Sequence, residues 1–199
     1  MKQWPYETPG IPDQLFAKGN SPITRAEIRS VIIAKLRLSK DNCLWDIGSG
    51  TGSVAIEAAR FLSAGTVWAV EAAADRVGLI AENAVKFGLS NIKAIRGGAP
   101  RVLAELPVAD RVFIGGSGGQ LSEIIREAGR RLNHGGRLVM SAVTLENLDT
   151  GIKELSFAPF QNLEVFSFSV ARLTSLNDYH LFQPDHSIYI LTAEIIDER

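Results

Sequence analysis

Three alternating glycines mark the segment of this chain that is best suited to binding a small molecule. Gly48, Gly50 and Gly52 follow the apolar run Cys43–Ile47 and precede a helical pattern at residues 54–62. Glycine lets a backbone turn sharply and lie against a ligand without side-chain interference. The pattern predicts a cofactor pocket, although an ordinary strand-to-helix turn also uses glycine.

An acidic residue strengthens this interpretation. Glu71 ends a second apolar run, Thr66–Glu71, about 20 residues beyond the glycines. The carboxyl ends of neighbouring parallel strands lie side by side, so this carboxylate could accept hydrogen bonds from both hydroxyls of a ribose. A solvated strand-end glutamate is the alternative. The order of glycine turn, helix, strand and acid favours a nucleoside-binding site.

The glycine spacing separates two classes of cofactor. It is GxGxG rather than GxGxxG, and the third glycine of a nicotinamide-binding fingerprint would fall on Ser53. The observed spacing resembles motif I of the class I methyltransferases, which bind S-adenosylmethionine. A nicotinamide dehydrogenase is therefore the less favoured alternative.

Composition limits the class of protein. The 199 residues suit one domain, and 46% hydrophobic and 22% charged residues are typical of a soluble globular protein. A net charge of −1 provides no general attraction for nucleic acid, although a local basic patch is compatible with it. Neither a long apolar run nor an apolar signal core is apparent, so we expect a cytoplasmic protein without a membrane partner.

The number and spacing of cysteines and histidines do not favour metal or thiol chemistry. Cys43 is the only cysteine, and the spacing of His134, His180 and His186 matches no metal-ligand pattern. We expect Cys43 to be a core residue rather than a nucleophile. The prediction is therefore that the site contains no metal.

Alternating strand and helix patterns predict the elements that hold the glycines in place. We expect an α/β fold: a parallel sheet with helices on both faces, preceded by an extended Pro- and Gly-rich arm at residues 1–23. Thr24 and Glu27 form a capping-box pattern that would open a helix to about Leu36. The predicted strands are Cys43–Ile47, Thr66–Glu71, Ile92–Arg96, 111–114 and 136–142. A helix at 145–155 and two antiparallel strands, 163–173 and 187–194, would complete a single domain whose closing segment is 160–199.

A second glycine cluster follows the predicted fourth strand. Residues 115–119 read Gly-Gly-Ser-Gly-Gly, where amide- and adenine-methylating enzymes of this fold often carry Asn/Asp-Pro-Pro-Tyr. Methylation of an adenine amino group is therefore disfavoured. A loop without large side chains leaves room for a bulky acceptor, and a flexible surface loop is the alternative.

Several segments together make the resemblance more specific. Gly10-Ile-Pro-Asp-Gln-Leu-Phe, Pro22-Ile-Thr-Arg-Ala-Glu-Ile-Arg, Trp45-Asp-Ile-Gly-Ser-Gly-Thr-Gly-Ser, Phe113-Ile-Gly-Gly-Ser-Gly-Gly and Thr144-Leu-Glu occur in this order. The chain thereby resembles the decarboxylating precorrin C-15 methyltransferases of cobalamin biosynthesis. The resemblance implies a Rossmann-like seven-stranded class I methyltransferase sheet with an antiparallel last strand. It also implies methylation at C-15 of a precorrin-6B or cobalt-precorrin-6B macrocycle, with decarboxylation of its ring-C (C-12) acetate, by a homotetramer.

The resemblance also implies site residues, carried over by position. The cofactor S-adenosylmethionine would contact Thr24, Gly48, Ser49, Gly50, Thr51, Gly52, Glu71 and Ala99. The tetrapyrrole substrate would contact Arg25, Gly116, Ser117, Gly118 and Glu146. No catalytic residue is assigned. Because the substrate carries many carboxylates, Arg29, Arg101 and Arg172 are further candidate partners, and Tyr179 and His180 could close over the acceptor.

Two other functions stay open. A class I methyltransferase acting on RNA or on another small molecule would share the glycine motif. A protein that binds S-adenosylmethionine without catalysis is also compatible with Gly98, which replaces an acidic residue usual in related sequences.

Overall fold

The computed structural model describes residues 4–176 and 179–196. Within these ranges, seven strands form one sheet in the order β3-β2-β1-β4-β5-β9-β6, and β7 and β8 form a separate two-stranded sheet. The strands are β1 (Cys43–Ile47), β2 (Thr66–Glu71), β3 (Ile92–Arg96), β4 (Ala109–Ile114), β5 (Leu132–Ala142), β6 (Gln161–Phe168), β7 (Ala171–Leu176), β8 (Tyr179–Pro184) and β9 (Ile188–Glu194). The α-helices are α1 (Ala26–Leu36), α2 (Ser53–Ala59), α3 (Ala74–Lys86), α4 (Leu121–Arg131) and α5 (Leu145–Leu155).

Strand direction confirms the predicted fold class. The first five strands pair in parallel, and β9 runs antiparallel between β5 and β6. The first three strands have the predicted bounds, whereas β4 and β5 each begin earlier than the sequence pattern indicated. The structure is thus the α/β sheet with a reversed last strand that is characteristic of class I methyltransferases.

The central strand β1 is buried on both faces, as parallel strands covered by helices usually are. Leu44, Trp45 and Ile47 lie in the core, and the Trp45 indole N–H donates to the Pro107 carbonyl at 3.0 Å. Asp46, in the same strand, is also buried. The carboxyl end of β1 therefore opens directly from the densest part of the molecule.

A buried ion pair attaches the N-terminal arm to this core. Glu57 of α2 accepts hydrogen bonds from the backbone N–H groups of Gly10 and Ile11, both at 2.9 Å, and from Arg29 Nε at 2.7 Å. Arg29 also donates to the carbonyls of Ile11 and Thr24. The arm includes a short 3₁₀ turn at Asp13–Leu15 and is otherwise without helix or strand in its described part.

The predicted capping box is wrong. Helix α1 begins at Ala26 with Arg25 at the N-cap, and no side chain caps it. The Glu27 carboxylate accepts two hydrogen bonds from Arg172, at 3.0 and 2.7 Å, instead of reaching back to the helix start. A charge-assisted, two-pronged contact is stronger than the neutral cap that the pattern suggested.

The single strand predicted at 163–173 is also wrong, because the chain breaks there into β6 and β7. The strand β6 pairs with β9 only as far as the pair Phe168 and Ile188. Beyond that point the chain pairs locally with β8, and Tyr179 and His180 lie in β8 rather than in a polar loop. Apolar alternation continues across the break, so periodicity alone does not reveal it.

We predict that Glu57→Gln lowers the free energy of unfolding by about 3 kcal/mol, because it leaves the Arg29 guanidinium buried without a counter-charge. Both side chains are almost fully buried. Chemical denaturation measures the loss. The matched control is Asp149→Asn, which removes an exposed ion pair with Lys153 and should cost less than about 1 kcal/mol. Equal losses in the two variants would contradict a structural role for the buried pair.

Candidate functional site

A cavity of about 680 Å³ opens at the carboxyl ends of β1, β2 and β4. The loops after β1 and β4 form adjoining walls: the Gly48 N–H bonds to the Val70 carbonyl at 3.0 Å, and the Gly115 N–H bonds to the Ile47 carbonyl at 2.9 Å. This is the position at which open α/β sheets bind ligands. The strand order thus brings the two glycine clusters together.

 In the sequence the two clusters lie far apart, and the parallel pairing of β1 with β4 is what makes them neighbours.

The loop after β1 requires glycine for two different reasons. Gly48, Gly50 and Gly52 all have positive φ angles, of 71°, 58° and 79°. A Cβ atom on Gly48 would lie 2.5 Å from the Gly116 carbonyl oxygen, so the two glycine loops pack backbone to backbone. At Gly50 the nearest atom to such a Cβ would be 4.0 Å away, so this residue faces open space in the cavity. Gly52 packs against Ile80 and does not line the cavity.

The acid at the end of β2 lies where the sequence pattern placed it. Glu71 lines the cavity and is only 6% exposed. Its Oε2 accepts from the Gly50 N–H at 2.9 Å, and its Oε1 accepts from the Ala73 N–H at 3.0 Å. The carboxylate is therefore fixed by backbone donors at the edge of the glycine loop.

Asp46 is a site residue that sequence reasoning missed. It lines the cavity and is 1% exposed. Its Oδ2 accepts from Ser49 Oγ at 2.6 Å and from the Ala55 N–H at 3.1 Å, while Oδ1 has no hydrogen-bond partner in the described part of the chain. A charged residue inside an otherwise apolar strand, directly before the glycines, was the signal that could have identified it.

Burial raises the pKa of Asp46 to about 6, although the hydrogen bonds from Ser49 and Ala55 oppose the change. The nearby Glu71 carboxylate raises this pKa further. A carboxylate with one unpartnered oxygen and a second acid beside it favours a cationic ligand group over an anionic one.

Most of the predicted site residues line this cavity. They are Thr24, Arg25, Gly48, Ser49, Gly50, Thr51, Glu71, Ala99, Gly116, Ser117 and Gly118. Thr24 and Arg25 come from the junction of the arm with α1, Ala99 follows β3, and the last three belong to the loop after β4. Glu146, in the first turn of α5, is exposed and does not line the cavity.

The candidate arginines have different positions. Arg29 is fully buried against Glu57, so the expectation that it contacts a substrate carboxylate is wrong. Arg101 is exposed and lies outside the cavity wall. Arg172 lines a neighbouring cavity rather than this one, whereas Arg25 lines both.

Metal and thiol chemistry find no support among the described residues. No group of three potential metal ligands occurs in residues 4–176 and 179–196. Burial raises the pKa of the Cys43 thiol to about 11, and Asp110 contributes in the same direction. A thiol of this pKa is a poor nucleophile at neutral pH. In the same ranges, no helix is long and apolar enough to span a bilayer.

Known proteins resemble the chain over nearly its whole length. A sequence model described as "Precorrin methyltransferase domain" matches residues 14–194. A protein of Pyrobaculum calidifontis named "Probable cobalt-precorrin-6B C(15)-methyltransferase (decarboxylating)" is 43% identical over 193 residues, which are 96% of this chain and 98% of that protein. The Salmonella typhimurium "Cobalt-precorrin-6B C(15)-methyltransferase (decarboxylating)" is 35% identical over 183 residues, 92% and 94% of the two chains.

A solved structure agrees with these relatives. The precorrin-6y C5,15-methyltransferase of Geobacter metallireducens superposes with a TM-score of 0.88 at 40% identity, covering 95% of this chain and all of the other. Sequence and structure comparisons therefore lead to the same group of enzymes. The chain belongs to the precorrin methyltransferase family.

Proposed function

We propose that this methyltransferase transfers a methyl group from S-adenosylmethionine to C-15 of precorrin-6B or cobalt-precorrin-6B and removes the ring-C acetate carboxyl as carbon dioxide. The observation that carries the proposal is the combination of whole-length similarity to enzymes of that name with an intact glycine-lined cavity.

The residues of the cavity fit the proposed methyl donor. S-adenosylmethionine carries an ammonium, a sulfonium and a ribose. Asp46 Oδ1 offers an unpartnered acceptor for a cationic group, and Glu71 can accept from ribose hydroxyls. The backbone of the loop from Gly48 to Thr51 would lie along the donor, and Ala99 and Thr24 would border it.

The acceptor would enter beside the loop after β4. Gly116, Ser117 and Gly118 line the cavity without a large side chain, and Arg25 provides a cation at its edge. That Glu146 binds the acceptor stays a prediction, since its side chain is exposed.

The chemistry then depends on positioning more than on a catalytic base. S-adenosylmethionine supplies a methyl group already activated by its sulfonium, so the protein has to align the acceptor carbon with it. In decarboxylation the departing carboxyl leaves an electron pair that the conjugated macrocycle can receive. The protein would orient and desolvate the carboxylate, and we assign no residue as the proton donor.

We further propose that the protein acts in the cytoplasm as a homotetramer, without a nucleic acid or membrane partner. Support comes from the β7–β8 hairpin, whose apolar side chains Leu173, Tyr179, Leu181 and Phe182 are each more than half exposed. A two-stranded ribbon is marginally stable alone in water, and exposed apolar side chains on its two faces favour contact with other copies. The lone cysteine is compatible with a reducing compartment.

We predict that Gly50→Asp abolishes binding of S-adenosylmethionine, because the new side chain would project into the cavity beside Glu71. Isothermal titration calorimetry measures the loss. Gly88→Asp is the matched control, since Gly88 also has a positive φ, of 66°, and open space around it, but lies outside the cavity. Unchanged binding by a folded Gly50→Asp variant would rule out the cofactor assignment.

We predict that S-adenosylmethionine binds wild-type protein with nearly constant affinity above pH 7, and that the affinity falls as the pH drops through about 6 towards that of Asp46→Asn. The pKa of Asp46 is about 6, and the cationic ligand requires its ionised form. Asp46→Asn should bind more weakly at neutral pH and lose this dependence. Calorimetric titrations across the pH range measure both effects, and identical pH profiles of the two proteins would contradict the role of Asp46.

The same substitution has an opposite effect on the ligand-free protein. An aspartate whose pKa is raised in the folded state contributes stability below its unfolded pKa and loses it as the pH rises through about 6. Asp46→Asn should therefore raise the free energy of unfolding at neutral pH, by up to about 3 kcal/mol. Denaturation without ligand provides this check, and it also shows that weaker binding does not arise from unfolding.

We predict that the purified protein converts precorrin-6B or cobalt-precorrin-6B, with labelled S-adenosylmethionine, to a product that is one methyl group heavier and one carbon dioxide lighter. Mass spectrometry measures both changes, and Gly50→Asp serves as the inactive control. Cofactor binding without any change in acceptor mass would select a non-catalytic binding protein. Transfer of label to RNA under the same conditions would favour the rival class of acceptor.

A further inference from the structure

A second cavity, of about 850 Å³, lies beside the first. It is formed by the N-terminal arm, the start of α1 and Arg172 at the base of the β7–β8 hairpin. Pro22, Ile23 and Arg25 line both cavities, so a single strip of chain separates the two spaces.

The acidic side chains of this second cavity already have cationic partners, which they share with other acids. Asp13 lies 3.1 Å from Arg29 Nη1. Glu27 accepts two hydrogen bonds from Arg172, which hold the pKa of its carboxyl below the usual range. Neither acid is therefore available to bind a cationic ligand.

Two exposed cations in the wall have a weak counter-charge or none among the described residues. Arg25 Nε is 3.9 Å from Asp185 Oδ2, which is too long for a hydrogen bond, and the Arg25 side chain is 55% exposed. Lys18 is exposed and takes part in no ion pair or hydrogen bond of its side chain among the described residues. A concave surface whose acids have close cationic partners, and whose exposed cations are unpaired or only weakly paired, favours an anionic ligand group.

The volumes of the two spaces support the same conclusion. Pockets of about 300–1,000 Å³ are typical for one drug-sized ligand. The first cavity, of about 680 Å³, is of that size for the methyl donor, so a macrocyclic acceptor needs adjoining space.

We propose that the second cavity binds a carboxylate side chain of the acceptor that is retained in the product, with Lys18 and Arg25 as its partners. This inference rests on the proposed function, because it takes the acceptor to be a polycarboxylate. The strip from Pro22 to Arg25 then lies between the methyl donor and the anchored edge of the acceptor.

The test is the steady-state kinetics of the Lys18→Gln variant, because Lys18 lines the second cavity and not the first. The Michaelis constant for the acceptor should rise about fivefold, as expected for the loss of one exposed charge pair. The turnover number and the affinity for S-adenosylmethionine should stay within about twofold of wild type, and Lys18→Arg should restore the Michaelis constant. Lys86→Gln, which removes an exposed cation outside both cavities, is the charge-matched control.

A binding measurement separates this inference from the proposed function. Uroporphyrin I is a fluorescent polycarboxylate tetrapyrrole, and its fluorescence should change when it binds the wild-type protein. The double variant Lys18→Gln with Arg25→Gln should bind it at least about tenfold more weakly. Failure of wild type to methylate the acceptor would refute the proposed function alone. Equal acceptor Michaelis constants, or equal uroporphyrin affinities, in wild type and variants would overturn the second cavity as a carboxylate site.

Discussion

The buried contact between Arg29 and Glu57 is the interaction on which the site depends. Arg29 binds the Thr24 carbonyl as well as Glu57, and Glu57 binds the backbone of Gly10 and Ile11. This pair therefore holds the arm in place, together with the buried side chains of Ile11 and Phe16. Because the arm supplies Pro22 to Arg25, the walls of both cavities depend on charges that contact neither proposed ligand. A buried pair of this kind positions a site even where its net contribution to stability is small.

The sheet provides the second constraint. Pairing of β1 with both β2 and β4 brings Asp46, Glu71 and the loop after β4 to one edge. Hydrogen bonds from the glycine loop to Val70 and from the second glycine loop to Ile47 then fix the two loops relative to the strands. The cavity is thus built mainly by backbone, and its side chains supply charge where backbone cannot.

Local sequence signals predicted much of this arrangement. The bounds of β1, β2 and β3 and the position of Glu71 follow from apolar runs that end at glycine or acid. Arg29 could not be recognised as structural, because its partner Glu57 lies on another helix and no local pattern links them. The β7–β8 hairpin was missed for a similar reason, since the last residue of β6 pairs with the first residue of β9, which is distant in sequence. Asp46 is visible in the sequence as a charge within an apolar strand. Its significance becomes clear only from the structure, because the side chain is buried.

Where the two glycine loops touch, Gly48 and Gly116 differ in the space available for a side chain. A side chain at position 48 would collide with the Gly116 backbone, whereas a Cβ atom on Gly116 would lie 3.7 Å from Gly48 Cα, an ordinary packing distance. The loop after β4 can therefore gain side chains at this point while the loop after β1 stays unchanged. In evolutionary terms, the wall proposed to contact the acceptor can diversify without disturbing the wall proposed to contact the methyl donor, so one cofactor site can be retained while specificity for the acceptor changes.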